Sequence, residues 1–126
     1  MSCTTPHLMT QSLSDQAEQF RTSYGVTNGA TNRLMQKHLI DEEYKEFCEA
    51  HATKADCEAL KELADLVYVC FQYAANLDWD LEEAMRRVHK SNMSKLGLDG
   101  KPIRRSDGKV LKGPNYEPPN LIDLTL

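Results

Sequence analysis

From about position 12 to position 97 the chain places apolar residues at helical spacing, and short turn-forming segments break the pattern into four stretches. The first, SLSDQAEQFRTSYG, offers Ser12 or Ser14 as an N-cap and Gly25 as a stop. After TNG, a run from about Thr31 to His51 contains no glycine or proline and repeats Leu34, Met35, Leu39, Ile40 and Phe47 near the helical period, which predicts a long second helix. A third follows in TKADCEALKELADLVYVCFQYAANL, with Thr53 as its expected cap and a strongly apolar second half. DWDLEEAMRRVHKSNMSKLG predicts a fourth, capped by Asp78 or Asp80, acidic in its first turn and closed by Gly97.

Beyond Gly97 the pattern changes. LDGKPIRRSDGKVLKGPNYEPPNL is rich in glycine and proline, and IRRSDGKVLK within it predicts a short hairpin turning at Ser106, Asp107 and Gly108. The expected architecture is all-α: a single domain over 1–126, with a helical core at about 12–97 and a C-terminal arm at about 98–126.

Composition leaves this picture intact. The 126 residues are 40% hydrophobic and 27% charged, ordinary values that exclude disordered, fibrous and membrane classes. No run approaches the roughly 20 apolar residues that span a bilayer. MSCTTPHLMTQSLSDQ lacks the basic start and apolar stretch of a secretory signal, so a cytoplasmic setting is expected. Cys3, Cys48, Cys57 and Cys70 show no C-x-x-C spacing and are read as reduced thiols.

Charge does change the picture. The formal net charge of -4 argues against nucleic acid as the main partner. Acids dominate positions 41 to 83, and bases dominate 86 to 112.

The acids fall where a core is expected. At about 100° per residue, Met35, Leu39, Glu43, Glu46 and Ala50 share one sector of the second helix, roughly 80° wide. The third helix groups Glu62 and Asp65 with Leu66, Val69 and Tyr73 in the same way. Each acid pair is spaced i, i+3, so both helices turn two carboxylates to one side. Carboxylates about 5 Å apart repel by on the order of 3 kcal/mol at an effective dielectric near 20, so the cluster calls for cations. All-oxygen donors suit Mg²⁺ first and Mn²⁺ second. A di-iron bundle would carry Glu-x-x-His pairs, and the sequence has none. Glu42 sits at the edge of the cluster, and Asp41 and Glu49 are expected to face solvent.

Glu42, Glu43, Glu46, then Glu62 and Asp65 spell E-E-x-x-E, fifteen residues, E-x-x-D. This resembles the MazG-like, all-α nucleoside triphosphate pyrophosphohydrolases, a superfamily that includes phosphoribosyl-ATP pyrophosphohydrolase and the dimeric deoxyuridine and deoxycytidine triphosphate pyrophosphatases. The resemblance covers about 33–95, and RRVHKSNMSKLGLDGKPIRRSDGKVLKGPNY is similar to the C-terminal signature of small MazG-like proteins. It implies a four- to five-helix oligomeric bundle, a homodimer or homotetramer, with a short C-terminal hairpin or extended arm that reaches a neighbouring subunit.

It also implies that Glu43, Glu46, Glu62 and Asp65 hold Mg²⁺, with Glu42 accessory. A nucleoside triphosphate would then be cleaved between its α and β phosphates in nucleotide-pool cleaning. Either Glu46 or Glu43 would orient or deprotonate the water. Asn92 and Lys95 match the family's positions for phosphate or sugar contacts, and Lys112, Arg104, Arg33 and Lys37 are further candidates. For the base, Phe20, Asn28, Gln36, Tyr73 and Trp79 are available. His38 and His89 are read as structural. The rival readings are a non-catalytic helical module that binds nucleotide or protein, and a helical oligomer whose acids are solvated.

Overall fold

The structure, a computed structural model, describes residues 11–126, so Cys3 lies outside the described residues. It is mostly helical, with four α-helices among the described residues and a two-stranded antiparallel sheet near the C-terminus. Two compact units divide the chain, Met1–Leu81 and Glu82–Leu126.

Helix α1 spans Leu13–Ser23. Of the two candidate caps the fold uses Ser12, whose Oγ accepts the Asp15 N–H at 3.0 Å. Ser12→Ala is expected to cost about 1 kcal/mol, read as a shift in the urea midpoint without a change in slope.

A 3₁₀ turn, Ala30–Asn32, leads into α2, Arg33–Thr53, and α3 follows at Asp56–Asn76. The two long helices form an antiparallel hairpin. Arg33 meets Tyr73 at one end and Glu43 meets Glu62 and Asp65 further along, so one residue number rises as the other falls. Thr53 does not cap α3, contrary to expectation. The link is so short that Thr53 is still the last residue of α2, where its hydroxyl donates to Ala50 O at 2.7 Å. Lys54 then turns through φ 59°, and Ala55 holds the α3 N-cap position without a side-chain bond.

The buried core of the first unit is small. Ala17 of α1 packs on Phe71 and Ala75 of α3, with Leu81 against them. Beside it lies a buried polar network that holds α1 to α3. Arg21, 3% exposed, donates from Nε to Asn28 Oδ1 at 2.5 Å, from Nη1 to Gln72 Oε1 at 3.0 Å and from Nη2 to Asn76 Oδ1 at 2.9 Å. Gln72 donates back to Ala17 O, and Asn76 clamps Gly29 through both backbone groups. Along the groove that α3 shares with Leu13 and Gln16 of α1, Leu60, Leu63 and Val67 remain 68%, 42% and 42% exposed, an apolar stripe at helical spacing.

Helix α4 spans Leu81–Met93, all but its first residue in the second unit, and is shorter than the sequence pattern suggested. The chain leaves it through turns at Ser94 and Lys95, and Gly97 is not its left-handed cap. Asp78 is not the N-cap either: its φ of 57° belongs to the turn that closes α3. The C-terminal segment returns to α4. Ser91 Oγ donates to Glu117 O at 2.7 Å, Ser94 Oγ accepts the Glu117 N–H at 3.0 Å, and Arg87 bridges Glu83 and Asp123. Gly113 is required at this return, because a Cβ there would overlap Leu96 O and stand 2.6 Å from Lys95 O.

The hairpin forms as expected. Strands β1, Ile103–Arg104, and β2, Val110–Leu111, pair antiparallel with Ile103 opposite Leu111. Gly108 supplies the φ of 90° that the turn needs. No helix among the described residues is long and apolar enough to cross a membrane.

Candidate active site

Glu43 reaches inward from α2, and Glu62 and Asp65 from α3. One oxygen from each lies within 4.8 Å of the others, and all three residues are half-buried. The face expected for α3 is the one observed: Glu62, Asp65, Leu66, Val69 and Tyr73 are all half-buried. On α2 the grouping is looser, with Ala50 buried, Leu39 and Glu43 half-buried, and Met35 and Glu46 exposed.

Electrostatics mark the cluster as incomplete. Burial pushes the Glu43 carboxyl above its ordinary value, and the charges of Glu46, Asp65 and Glu62 push it further. Glu43 Oε2 and Glu62 Oε2 are buried with no hydrogen-bond partner. Two orphaned acceptors among converging carboxylates fit a hard cation, which would satisfy both oxygens and remove the repulsion. Among the described residues, Glu43, Glu62 and Asp65 thus form a group able to hold a divalent ion.

Glu46 stands outside the three-oxygen group but is the strongest charge acting on Glu43. It lines an adjoining cleft of about 440 Å³ with Glu49, Glu58, Lys61 and Glu62. Glu42 is exposed. Lys61 was not singled out by its sequence position. Its Nζ lies 2.6 Å from Asp65 and 3.5 Å from Glu62, and the i, i+4 spacing to Asp65 was the available signal.

The family model for phosphoribosyl-ATP pyrophosphohydrolase matches residues 6–92, which include all of α1, α2 and α3 and the acid cluster. The chain belongs to the phosphoribosyl-ATP pyrophosphohydrolase family. Membership carries a nucleotide pyrophosphohydrolase type of activity, the hydrolysis of a phosphoric anhydride. No curated protein sequence matches the chain. The family match takes in the acid motif and Asn92, and stops short of Lys95 and the hairpin.

The remaining candidates are dispersed. Arg33 donates to Tyr73 Oη at 2.8 Å and stacks over the Trp79 ring at 5.3 Å, so Arg33, Tyr73 and Trp79 form one cluster. Lys37 is engaged by Asp41 at 2.8 Å in an exposed pair. Gln36, expected only as one of several base contacts, is 3% exposed with Oε1 unpartnered. In the second unit Asn92 is exposed on α4, and Lys95 is half-buried and accepts the Gly113 N–H at its carbonyl. Lys112 Nζ lies over the Tyr116 ring at 4.9 Å, and Arg104 donates to Gly108 O. His38 and His89 are exposed on their helices, and Cys48, Cys57 and Cys70 are free thiols.

Proposed function

We propose that the chain is a Mg²⁺-dependent nucleoside triphosphate pyrophosphohydrolase, with Mn²⁺ as a substitute, that yields a monophosphate and pyrophosphate. The observation that carries this reading is the convergence of Glu43, Glu62 and Asp65, with two buried oxygens left unpartnered, in a family of pyrophosphohydrolases. A divalent ion held by these three, with Glu46 and Glu42 at the edge, supplies neutralisation of the charge on the substrate's phosphate oxygens.

The chain's own residues supply the rest. Of Glu46 and Glu43, Glu46 is the proposed acceptor of the attacking water's proton, a reading supported by its place in the cleft lining outside the three-oxygen group. The water oxygen bonds to phosphorus, the anhydride P–O bond breaks, and its electron pair leaves on pyrophosphate. Asn92, Lys95, Lys112 and Arg33 are proposed donors to the phosphates, and Lys37 becomes one on leaving Asp41. Among the base candidates, Gln36 is favoured by its unpartnered Oε1, and Trp79 by its ring beside Arg33.

Homodimers or homotetramers are proposed because Leu60, Leu63 and Val67 of α3 form an apolar stripe that is substantially exposed among the described residues. A cytoplasmic role in nucleotide-pool cleaning completes the reading. Phosphoribosyl-ATP, named by the family description, carries the same triphosphate and is the second substrate to test.

The purified chain with Mg²⁺ should release pyrophosphate from at least one member of a panel of ribonucleoside and deoxynucleoside triphosphates and phosphoribosyl-ATP. Tight nucleotide binding without turnover across the panel, with Mg²⁺ and with Mn²⁺, would instead support a non-catalytic binding module.

A further inference from the structure

Within the acid cluster one positive charge is already present. Lys61 Nζ lies 2.6 Å from Asp65 Oδ2 and 3.5 Å from Glu62 Oε1, two of the three acids whose oxygens converge. The acids are the fixed part of this contact, with Glu62 19% and Asp65 37% exposed, whereas the Lys61 side chain is 66% exposed on a flexible four-carbon stem. An exposed i, i+4 pair of this kind is weakly held.

The neutralisation is also incomplete. With Lys61 in contact, Glu43 Oε2 and Glu62 Oε2 still lack partners. A divalent ion carries twice the charge and accepts more oxygens, so it outcompetes the ammonium. The released lysine stays at the cleft, where it faces Glu46, Glu49, Glu58 and Glu62 as the positively charged residue of the lining. A polyphosphate entering there meets four carboxylates and one ammonium.

We propose that Lys61 is an exchangeable counter-ion: it neutralises Asp65 and Glu62 while no divalent ion is present, and once displaced it binds a phosphate oxygen of the substrate. This rests on the metal site and reaction proposed above. It adds a substrate-binding residue that the acid motif does not contain.

The test titrates Mn²⁺ into the full chain and reads free Mn²⁺ by electron paramagnetic resonance. Lys61→Met should tighten Mn²⁺ binding about two- to fivefold, the size expected for loss of one exposed competing ion pair. Lys61→Arg should stay near the unsubstituted chain. Lys45→Met, which removes a charge next to Glu46 in sequence, controls for long-range charge. At saturating metal, Lys61→Met should also raise KM for the nucleotide severalfold with a smaller change in kcat, and Lys61→Arg should restore it.

Unchanged or weaker Mn²⁺ binding in Lys61→Met overturns the counter-ion role, as does equal tightening in Lys45→Met. Tighter binding with an unchanged KM overturns the phosphate contact. No Mn²⁺ binding by the unsubstituted chain would instead remove the metal site itself, a failure distinct from the others.

Discussion

Glu43→Gln is expected to lower pyrophosphate release by about 10²- to 10³-fold, the scale for losing one group that stabilises transition-state charge, while leaving the metal-free protein more stable at neutral pH. The two effects share one cause. Glu43 is half-buried and its Oε2 has no partner, so in the absence of a cation its charge is a cost that an amide of the same shape removes. The sign of the pH dependence follows. Burial, then Glu46, Asp65 and Glu62, raise the folded-state value above the ordinary 4.5. The native state then binds the proton more readily than the unfolded chain, so stability declines as pH rises from about 4.5 through the raised value.

Mg²⁺ should reverse that decline, since a ligand held only by the native state stabilises it. Asp65→Ala should abolish activity to a similar extent but without the gain in stability, because it also removes the partner of Lys61. A pyrophosphate-coupled assay and thermal melts in chelator across pH 5 to 8 would check both claims. Full activity in either variant would remove the site assignment, and a melting temperature that is lower in Glu43→Gln than in the unsubstituted chain would contradict the electrostatic account.

The second large effect concerns stability. Arg21→Met should destabilise the chain by about 2–4 kcal/mol, from roughly 1–3 kcal/mol for each buried neutral acceptor left without a donor. All five Arg21 hydrogen bonds go to neutral oxygens, on Asn28, Thr27, Gln72 and Asn76. Burial lowers its pKa, and the side chain bonds to amide and carbonyl dipoles. Removing the fork leaves Gln72 Oε1 and Asn28 Oδ1 short of a donor, and loosens the Asn76 clamp on Gly29 just before α2. Arg21→Lys should recover little, because one ammonium cannot span three amide oxygens set around a planar fork. Urea unfolding measures the loss. A change below about 1 kcal/mol in Arg21→Met would show that the network contributes nothing net.

Much of this was readable along the chain. The unbroken run after Thr31 became α2, the apolar second half of the third pattern became the buried end of α3, and Ser106 to Gly108 became a hairpin turn. Such features depend on neighbours within one or two turns, and residue spacing records them directly. Element ends were less legible. Thr53 satisfies every local condition for a cap, yet the two-residue link to α3 assigned it to the end of α2.

The acid quartet lies between these cases. Spacing alone put Glu43 and Glu46 on one side of α2 and Glu62 and Asp65 on one side of α3, because the helical period dictates it. That Glu43, Glu62 and Asp65 converge while Glu46 turns to the cleft depends on how α2 and α3 are registered against each other. The same register sets Lys61, paired to Asp65 one turn along α3, within Glu43's field, and the docking of α1 on α3 buries Arg21. Sequence by itself determined the helices, the hairpin and which acids share a face, since backbone periodicity is local. Only the tertiary structure decided which charges are buried, paired or left without a partner, since burial and Coulomb energy depend on residues far apart in the chain.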